Sequence, residues 1–294
     1  MKTDQKEQLT CIDHTVTKEK FYLEWDNLYE MYLTAPRPDE KDLGKYYESA
    51  SYISHTDAKE SIVDKLYQTV KNYTIKQKVK LIESFITDDI SILDIGCGTG
   101  DFLVACKNRG WEVHGIEPNE KARQITSDKL QIINKSGSDK IVHLDIEELV
   151  KSKRKYDVIS MWHVLEHVPN LREYIGYLKS LLNPNGILII AVPNFRSFDA
   201  EYYKEHWAAY DVPRHLWHFS KKSIDLLFNK TNLNVIKTVP MKFDSYYVSL
   251  LSEKYKTGKS NFLKAFYIGF LSNLKAIRSK EYSSLIYVIK HANS

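Results

Sequence analysis

Cysteine is scarce in this 294-residue chain: Cys11, Cys97 and Cys106 are the three present, and no two form a CxxC pair. Three thiols exclude a four-thiolate zinc site and give no basis for a disulfide framework. They fit a reducing compartment, so a cytoplasmic protein is expected. Long apolar runs are also lacking. The longest, Ile187–Val192, is far too short to cross a bilayer. The first ten residues, MKTDQKEQLT, contain no apolar stretch, so no secretory signal is expected. Nor does charge of one sign dominate. Forty-two Lys and Arg stand against 38 Asp and Glu, and a net charge of +4 does not call for nucleic acid. No internal repeat or low-complexity linker divides the chain.

From Ile90 onward, short apolar runs alternate with longer helical patterns, which predicts an α/β fold with a doubly wound, mainly parallel sheet. Seven strands are expected: Ile90–Ile95, Glu112–Glu117, Ile141–Asp145, Tyr156–Trp162, Ile187–Val192, Leu233–Val239 and Ser284–Ile289. Ile187–Val192 is apolar on both faces, as a central parallel strand must be. Helices are predicted over Asp101–Arg109 and Leu171–Leu182, and after a Ser220 cap, with Asn183–Gly186 forming a turn. Four segments follow from this pattern. Residues 1–58 read as a helical or irregular lobe and 59–240 as the core, with an acceptor-binding insert near 195–220. Residues 241–282 read as a helical cap inserted before the last strand, which lies in 283–294.

The strongest local signal is Asp94-Ile-Gly96-Cys97-Gly98-Thr-Gly100, between a strand and a helix. Glycines let the backbone turn sharply and let a ligand approach the main chain, and the helix that follows offers unpaired N–H groups. About 20 residues beyond the first glycine, Glu117 ends the next strand, where a carboxylate can accept from both ribose hydroxyls of an adenosine ligand. A dinucleotide fingerprint would need a final glycine where this chain has Asp101.

These motifs resemble those of class I S-adenosylmethionine (SAM)-dependent methyltransferases, in particular the bacterial small-molecule subgroup related to ubiquinone-biosynthesis O-methyltransferases. LDIGCGTG at Leu93–Gly100 is similar to that family's first motif and VHGIEPN at Val113–Asn119 to its second. HLDIEEL at His143–Leu149 resembles the adenine-contacting segment, YDVISMWHVLEHV at Tyr156–Val168 the fourth motif, and LLNPNGILIIAVPN at Leu181–Asn194 the fifth. The resemblance covers about Ile90–Val239. It implies that Asp94, Gly96, Cys97, Gly98 and Gly100 line the methionine and ribose of SAM. By the same token, Glu117 would hold the ribose, Pro118, Asp145 and Ile146 would surround the adenine, and Trp162 and His163 would lie near the sulfonium. The product would be S-adenosyl-L-homocysteine (SAH).

Two groups could serve the methyl acceptor. His163 and His167 stand four apart with Glu166 between them, a spacing that shares one helical face. In the resembled family this region is associated with a divalent metal. The alternative is a packed His167 and a Glu166 that fixes the loop, and no metal is assigned. The second group is Tyr210-Asp211-Val-Pro-Arg214-His215-Leu-Trp-His218, where Tyr210, Asp211, Arg214, His215 and His218 are the candidate acceptor contacts. Either His215 or His218 would be the base, with His163 a third candidate. An ordered loop with Arg214 paired to Asp211 is the structural alternative.

At the N-terminus, Cys11-Ile-Asp13-His14-Thr15-Val16-Thr17, Pro36-Arg37-Pro38 and Tyr46–His55 resemble a segment that in relatives carries a zinc ribbon. Here it lacks the cysteine pairs and reads as a degenerate, apolar version. Tyr46, Tyr47, Tyr52 and His55 either close over the site or pack in a core. Between the last two strands, Phe262, Phe266, Phe270 and Leu274 form a helical stripe flanked by lysines. That segment covers the site, pairs with a second subunit as in a homodimer, or lies on an anionic membrane. The expected function is SAM-dependent methylation, through oxygen, of a small acceptor, with an amphiphilic one fitting if the inserted segment meets a membrane. A dinucleotide-dependent oxidoreductase and a non-catalytic SAM-binding protein are the competing readings.

Overall fold

The computed structural model describes residues 9–47, 62–87, 89–133 and 142–292. The core strands are β4 (Ser91–Ile95), β5 (Glu112–Ile116), β6 (Val142–His143), β7 (Tyr156–Trp162), β8 (Leu182–Pro193), β10 (Leu233–Pro240) and β11 (Ser284–His291). They form one sheet in the order β10-β11-β8-β7-β4-β5-β6. Strands β4 to β8 pair in parallel, and β11 runs antiparallel between β8 and β10. All seven expected strands are present, and Ile141, expected to open the third, lies outside the described residues.

Ile187–Val192 of β8 is buried on both faces. Each such side chain withdrawn from water contributes about 1.5–3 kcal/mol. The Asn183–Gly186 turn proves to be a bulge within β8. Leu182 pairs with Tyr156 and Ile187 with Val158, so the turn stands opposite Asp157 alone. Asn183 donates to the Asp157 carboxylate at 2.6 Å, which fixes the bulge. The Ser220 cap is reciprocal, with Ser223 N–H donating to Ser220 and the Ser220 N–H donating back to the Ser223 hydroxyl.

Residues 9–35 depart from the helical or irregular lobe expected of them. They form β1 (Leu9–Ile12), β2 (Lys20–Asp26) and β3 (Met31–Ala35), an antiparallel sheet closed by β9 (Trp217–His218). Along β2, Phe21 and Leu23 are buried and their neighbours exposed, the alternation a one-sided sheet requires. Because β9 comes from the segment after β8, this small sheet is stitched to the core. A helix, Ile62–Glu83, precedes β4. The insertion before β11 is a pair of packed helices, Asp244–Thr257 and Phe262–Ser279.

Candidate active site

Parallel strands deliver side chains to the edge where they end, and β4 delivers Asp94 there. Its carboxylate is buried and accepts a hydrogen bond from Ser160 of β7 at 2.6 Å. Burial pushes the Asp94 carboxyl up to about 7, and this outweighs the Ser160 bond and the Lys78 charge. The loop beyond is anchored when Gly96 and Cys97 N–H both donate to the Ile116 carbonyl, at 2.8 and 3.1 Å. Gly96 has φ +71°, and a Cβ there would meet Val164 at 2.5 Å, so no other residue fits. Gly98 has φ +55°, and no described residue comes within 4 Å of its missing Cβ. That open face is where a ligand can lie against the main chain.

The outer side of the loop is gripped. Thr126 donates to the Gly98 carbonyl at 2.6 Å and Lys129 to the Thr99 carbonyl at 2.8 Å. Glu117, following β5, accepts from Gly98 N–H and Asn119 N–H, both at 2.8 Å. Asp101, where a dinucleotide fingerprint wants glycine, opens the next helix and pairs with Lys71 at 2.5 Å and Lys129 at 2.7 Å. Cys97 is a buried free thiol raised by burial. Pro118 is exposed beside Glu117. Asp145 caps the helix Ile146–Ser152 by accepting from Glu148 N–H at 3.0 Å, while Ile146 is packed in the core.

Trp162 ends β7, edge-on to Phe102 with ring centres 5.5 Å apart. The ammonium of Lys78 lies 4.0 Å from the centre of the Trp162 ring. Burial lowers Lys78 to about 8, against the pull of Asp94 and Asp244. Neither Lys78 nor Asp244 stood out in the sequence, because a single charge on a helix has no spacing to mark it.

His163 follows with φ +58° and lies between two carboxylates, Glu166 at 3.3 Å and Asp244 at 3.1 Å. Burial opposes its charge, but the bonds to Asp244 and Glu166 prevail and raise it to about 10. An imidazolium so held is not a base at neutral pH, which corrects the expectation for His163. The raised value adds stability that is complete below His163's ordinary 6.5 and is lost as pH rises through about 10. The melting-temperature advantage of the wild type over His163→Gln should therefore shrink from pH 6.5 to pH 10. A constant difference over that range would refute the charge assignment.

His163 and His167 do not share a face. Leu165–His167 is a single 3₁₀ turn, and His167 points instead to the Arg214 carbonyl, 3.0 Å from its Nδ1. The group brought together is Glu166, His167 and His215, whose potential ligand atoms lie within 4.8 Å of one another. His215 Nδ1 lies 2.8 Å from the Ala209 carbonyl. A carbonyl only accepts, so Nδ1 of each histidine carries a proton, and Nε2 is the ring atom left for a ligand. Glu166 is buried, with Oε2 unpartnered. Burial opposes its ionisation, yet the His163 bond holds it down at about 2.

The remaining candidates in the 210–218 segment are bonded or packed within the protein. His218 is buried, with Nε2 2.9 Å from the Thr34 hydroxyl. That hydroxyl already donates to the His215 carbonyl at 2.6 Å, so His218 is the donor. Burial depresses it to about 3. Tyr210 is buried edge-on between Trp207 and His218. Arg214 forks onto Asp211 at 2.9 and 2.6 Å, reaches Asp13 and Thr15 at 3.0 Å each, and donates to the Tyr46 carbonyl at 2.9 Å. Tyr47 lies 3.2 Å from His167 Nδ1. Tyr52 and His55 lie outside the described residues.

The methyltransferase domain family matches residues 67–238. The ubiquinone biosynthesis O-methyltransferase of Pelagibacter ubique is 29% identical over 189 residues, 60% of this chain and 72% of that protein. The enzyme of the same name from Rickettsia canadensis is 36% identical over 107 residues, 36% of this chain and only 43% of that protein. Magnesium protoporphyrin IX methyltransferase from Synechocystis PCC 6803, solved with bound SAH, superposes with a TM-score of 0.56 at 17% identity, over 85% of this chain and 99% of that one. At that identity the likeness is one of fold. With more than half of its length matched by the family and a fold to suit, the chain belongs to the methyltransferase domain family and is a SAM-dependent methyltransferase.

Proposed function

We propose that the enzyme methylates an oxygen of a small, amphiphilic acceptor. The observation that carries this reading is the open face of Gly98 beside the Glu117 carboxylate, at the edge where β4, β5 and β7 end. SAM would lie along Asp94–Gly100 with its ribose hydroxyls on Glu117. Its adenine would sit near Pro118, Asp145 and Ile146, and its sulfonium near Trp162 and His163. The Lys78 ammonium suits the α-carboxylate of SAM, and Lys78→Met should weaken SAM binding about tenfold, the worth of one charge-assisted bond. Titration calorimetry giving the wild-type affinity would reject that pairing. An amphiphilic acceptor is favoured by the aromatic rim, where exposed Tyr73 and Phe243 have ring centres 5.9 Å apart. Three buried free thiols suit the cytoplasm.

Transfer is an in-line displacement. The acceptor oxygen bonds to the methyl carbon as the C–S bond breaks, its electron pair stays on sulfur, and the hydroxyl proton must leave. Of the three histidines, His215 is the proposed base, since its Nδ1 is held by the Ala209 carbonyl and its Nε2 would take the acceptor's proton, while His163 is held between two carboxylates and His218 donates to Thr34. A second reading rests on the donor set itself. Glu166, His167 and His215 would hold a divalent cation through Oε2 and two Nε2 atoms, and such an ion would lower the pKa of a bound hydroxyl.

Methyl-labelled SAM incubated with a cell extract tests both readings. His215→Ala should lower the turnover by about 10²–10⁴-fold and leave SAM affinity within about twofold. Activity that survives chelation supports the base, whereas loss on chelation and recovery with added cation supports the second reading. Wild-type turnover in His215→Ala would exclude both.

A further inference from the structure

The inserted helix pair has inverted polarity. The Phe262–Ser279 helix buries Ala265, Ile268, Gly269, Ser272 and Ala276, and its partner Asp244–Thr257 buries Ser245, Ser249 and Ser252, with Ser245 donating to the Gly269 carbonyl at 3.1 Å. A Cβ on Gly269 would lie 2.9 Å from the Tyr246 backbone, so the contact is too close for larger residues. Ile268 aside, most of the large apolar side chains face outward. Phe262, Leu263, Phe266, Phe270, Leu274 and Ile277 are 47% to 87% exposed. Their spacing places them along one side of an 18-residue helix about 27 Å long. Apolar patches of this kind on a monomer mark an interaction surface.

The charges around the patch indicate what covers it. Lys254, Lys256 and Lys259 surround the turn at one end, and Lys275, Arg278 and Lys280 the other, all exposed. The three acids of the insertion are engaged within the protein: Asp244 on His163 at 3.1 Å, buried Glu253 on Lys264 at 3.0 Å, and Glu281 on Lys221 at 3.0 Å. A two-fold contact between copies would set each basic rim near its own mate. No helix among the described residues is long and apolar enough to cross a membrane.

We propose that the Phe262–Ser279 helix lies in the surface of an anionic lipid bilayer, with its aromatic and aliphatic side chains in the acyl boundary and its lysines among the headgroups. Asp244, on the partner helix, bonds His163, so the same insertion would bring the candidate site to the bilayer surface. The docking itself does not depend on the acceptor.

The test is co-sedimentation of the full chain with phosphatidylcholine vesicles, with and without phosphatidylglycerol, at low and high salt. Binding should require phosphatidylglycerol and weaken with salt. Lys275→Glu and Lys280→Glu should each weaken it at least about fivefold, the worth of one basic residue at such a surface. Phe266→Glu with Phe270→Glu should abolish it while leaving calorimetric SAM affinity unchanged, which separates this failure from failure of the methyl-transfer reading. Leu263→Trp, at an 87% exposed site, should blue-shift its emission with anionic vesicles only. Absence of binding to anionic vesicles at low salt would overturn the proposal. So would a dimer in sedimentation velocity that Phe266→Glu dissociates, since a second copy would then own the face.

Discussion

Glu117→Ala is expected to weaken SAM and SAH binding by at least about a hundredfold, the largest loss of affinity available at a single position. A charge-assisted hydrogen bond contributes about 1.5–3 kcal/mol, and the vicinal diol of a ribose would lose two acceptors together. The free loop would also lose definition, because the same carboxylate accepts from Gly98 and Asn119 N–H at 2.8 Å each. Glu117→Gln keeps one acceptor but loses the charge and turns an amide donor toward the loop, so about a tenfold loss is expected. Titration calorimetry with SAM, SAH and NAD reads the effect directly. Affinity for SAM within threefold of wild type in Glu117→Ala would mean that the ribose lies elsewhere. Tight NAD binding by the wild type would contradict the loop assignment, because Asp101 occupies the position of the missing glycine and is tied to Lys71 and Lys129.

The parts of this site that were legible in the sequence are those carried by local rules. Gly96 and Gly98 at positive φ, the acid after β5 and the doubly buried β8 each follow from neighbours a few residues away. The strands of the N-terminal sheet were less visible. Lys20, Phe21, Leu23 and Glu24 alternate as a half-buried strand should, but Tyr22 puts an aromatic ring on the polar side and obscures the period. The Phe262–Leu274 stripe was correctly seen as apolar, yet periodicity cannot say which face of a helix meets the protein. Here mostly small residues take the inner face, and Gly269 lets the Tyr246 backbone and ring approach the helix closely.

The 210–218 segment shows the same limit in its polar chemistry. Asp, Arg and two histidines among aromatics resemble a binding loop, but their use depends on partners the local sequence does not contain. Arg214 meets Asp13, 201 positions earlier in the chain, and His218 meets Thr34. Lys78 and Asp244 reach the candidate site from opposite sides of the sequence for the same reason. Of the segment's two histidines, His218 is spent on Thr34, and His215 stands with Glu166 and His167.

Arg214→Ala is accordingly expected to act on stability before it acts on catalysis. The guanidinium is buried, and its donors go to Asp211, Asp13, Thr15 and the Tyr46 carbonyl. Removing it strands two carboxylates, and breaking a buried pair in this way costs about 3–5 kcal/mol, or on the order of 10 °C in Tm for a chain of this size. Arg214→Lys should recover part of that, since one ammonium cannot reproduce the fork. The loss should be pH-dependent in a defined direction. Burial raises Asp13 and Asp211, but the Thr17 N–H and Arg214 at Asp13, and the Arg214 bond at Asp211, hold both below their ordinary 3.8. A depressed carboxylate contributes stability that is complete above its unfolded value and is lost as pH falls through the folded one. The gap between wild type and Arg214→Ala should thus be full above about pH 5 and close as both carboxylates protonate in acid. Chemical denaturation across that range, with Asp13→Asn alone and combined with Arg214→Met, measures the coupling. If Arg214→Ala instead kept its stability within about 1 kcal/mol and lost kcat/KM, Arg214 would belong to the acceptor site rather than to the joint between the small sheet and the core.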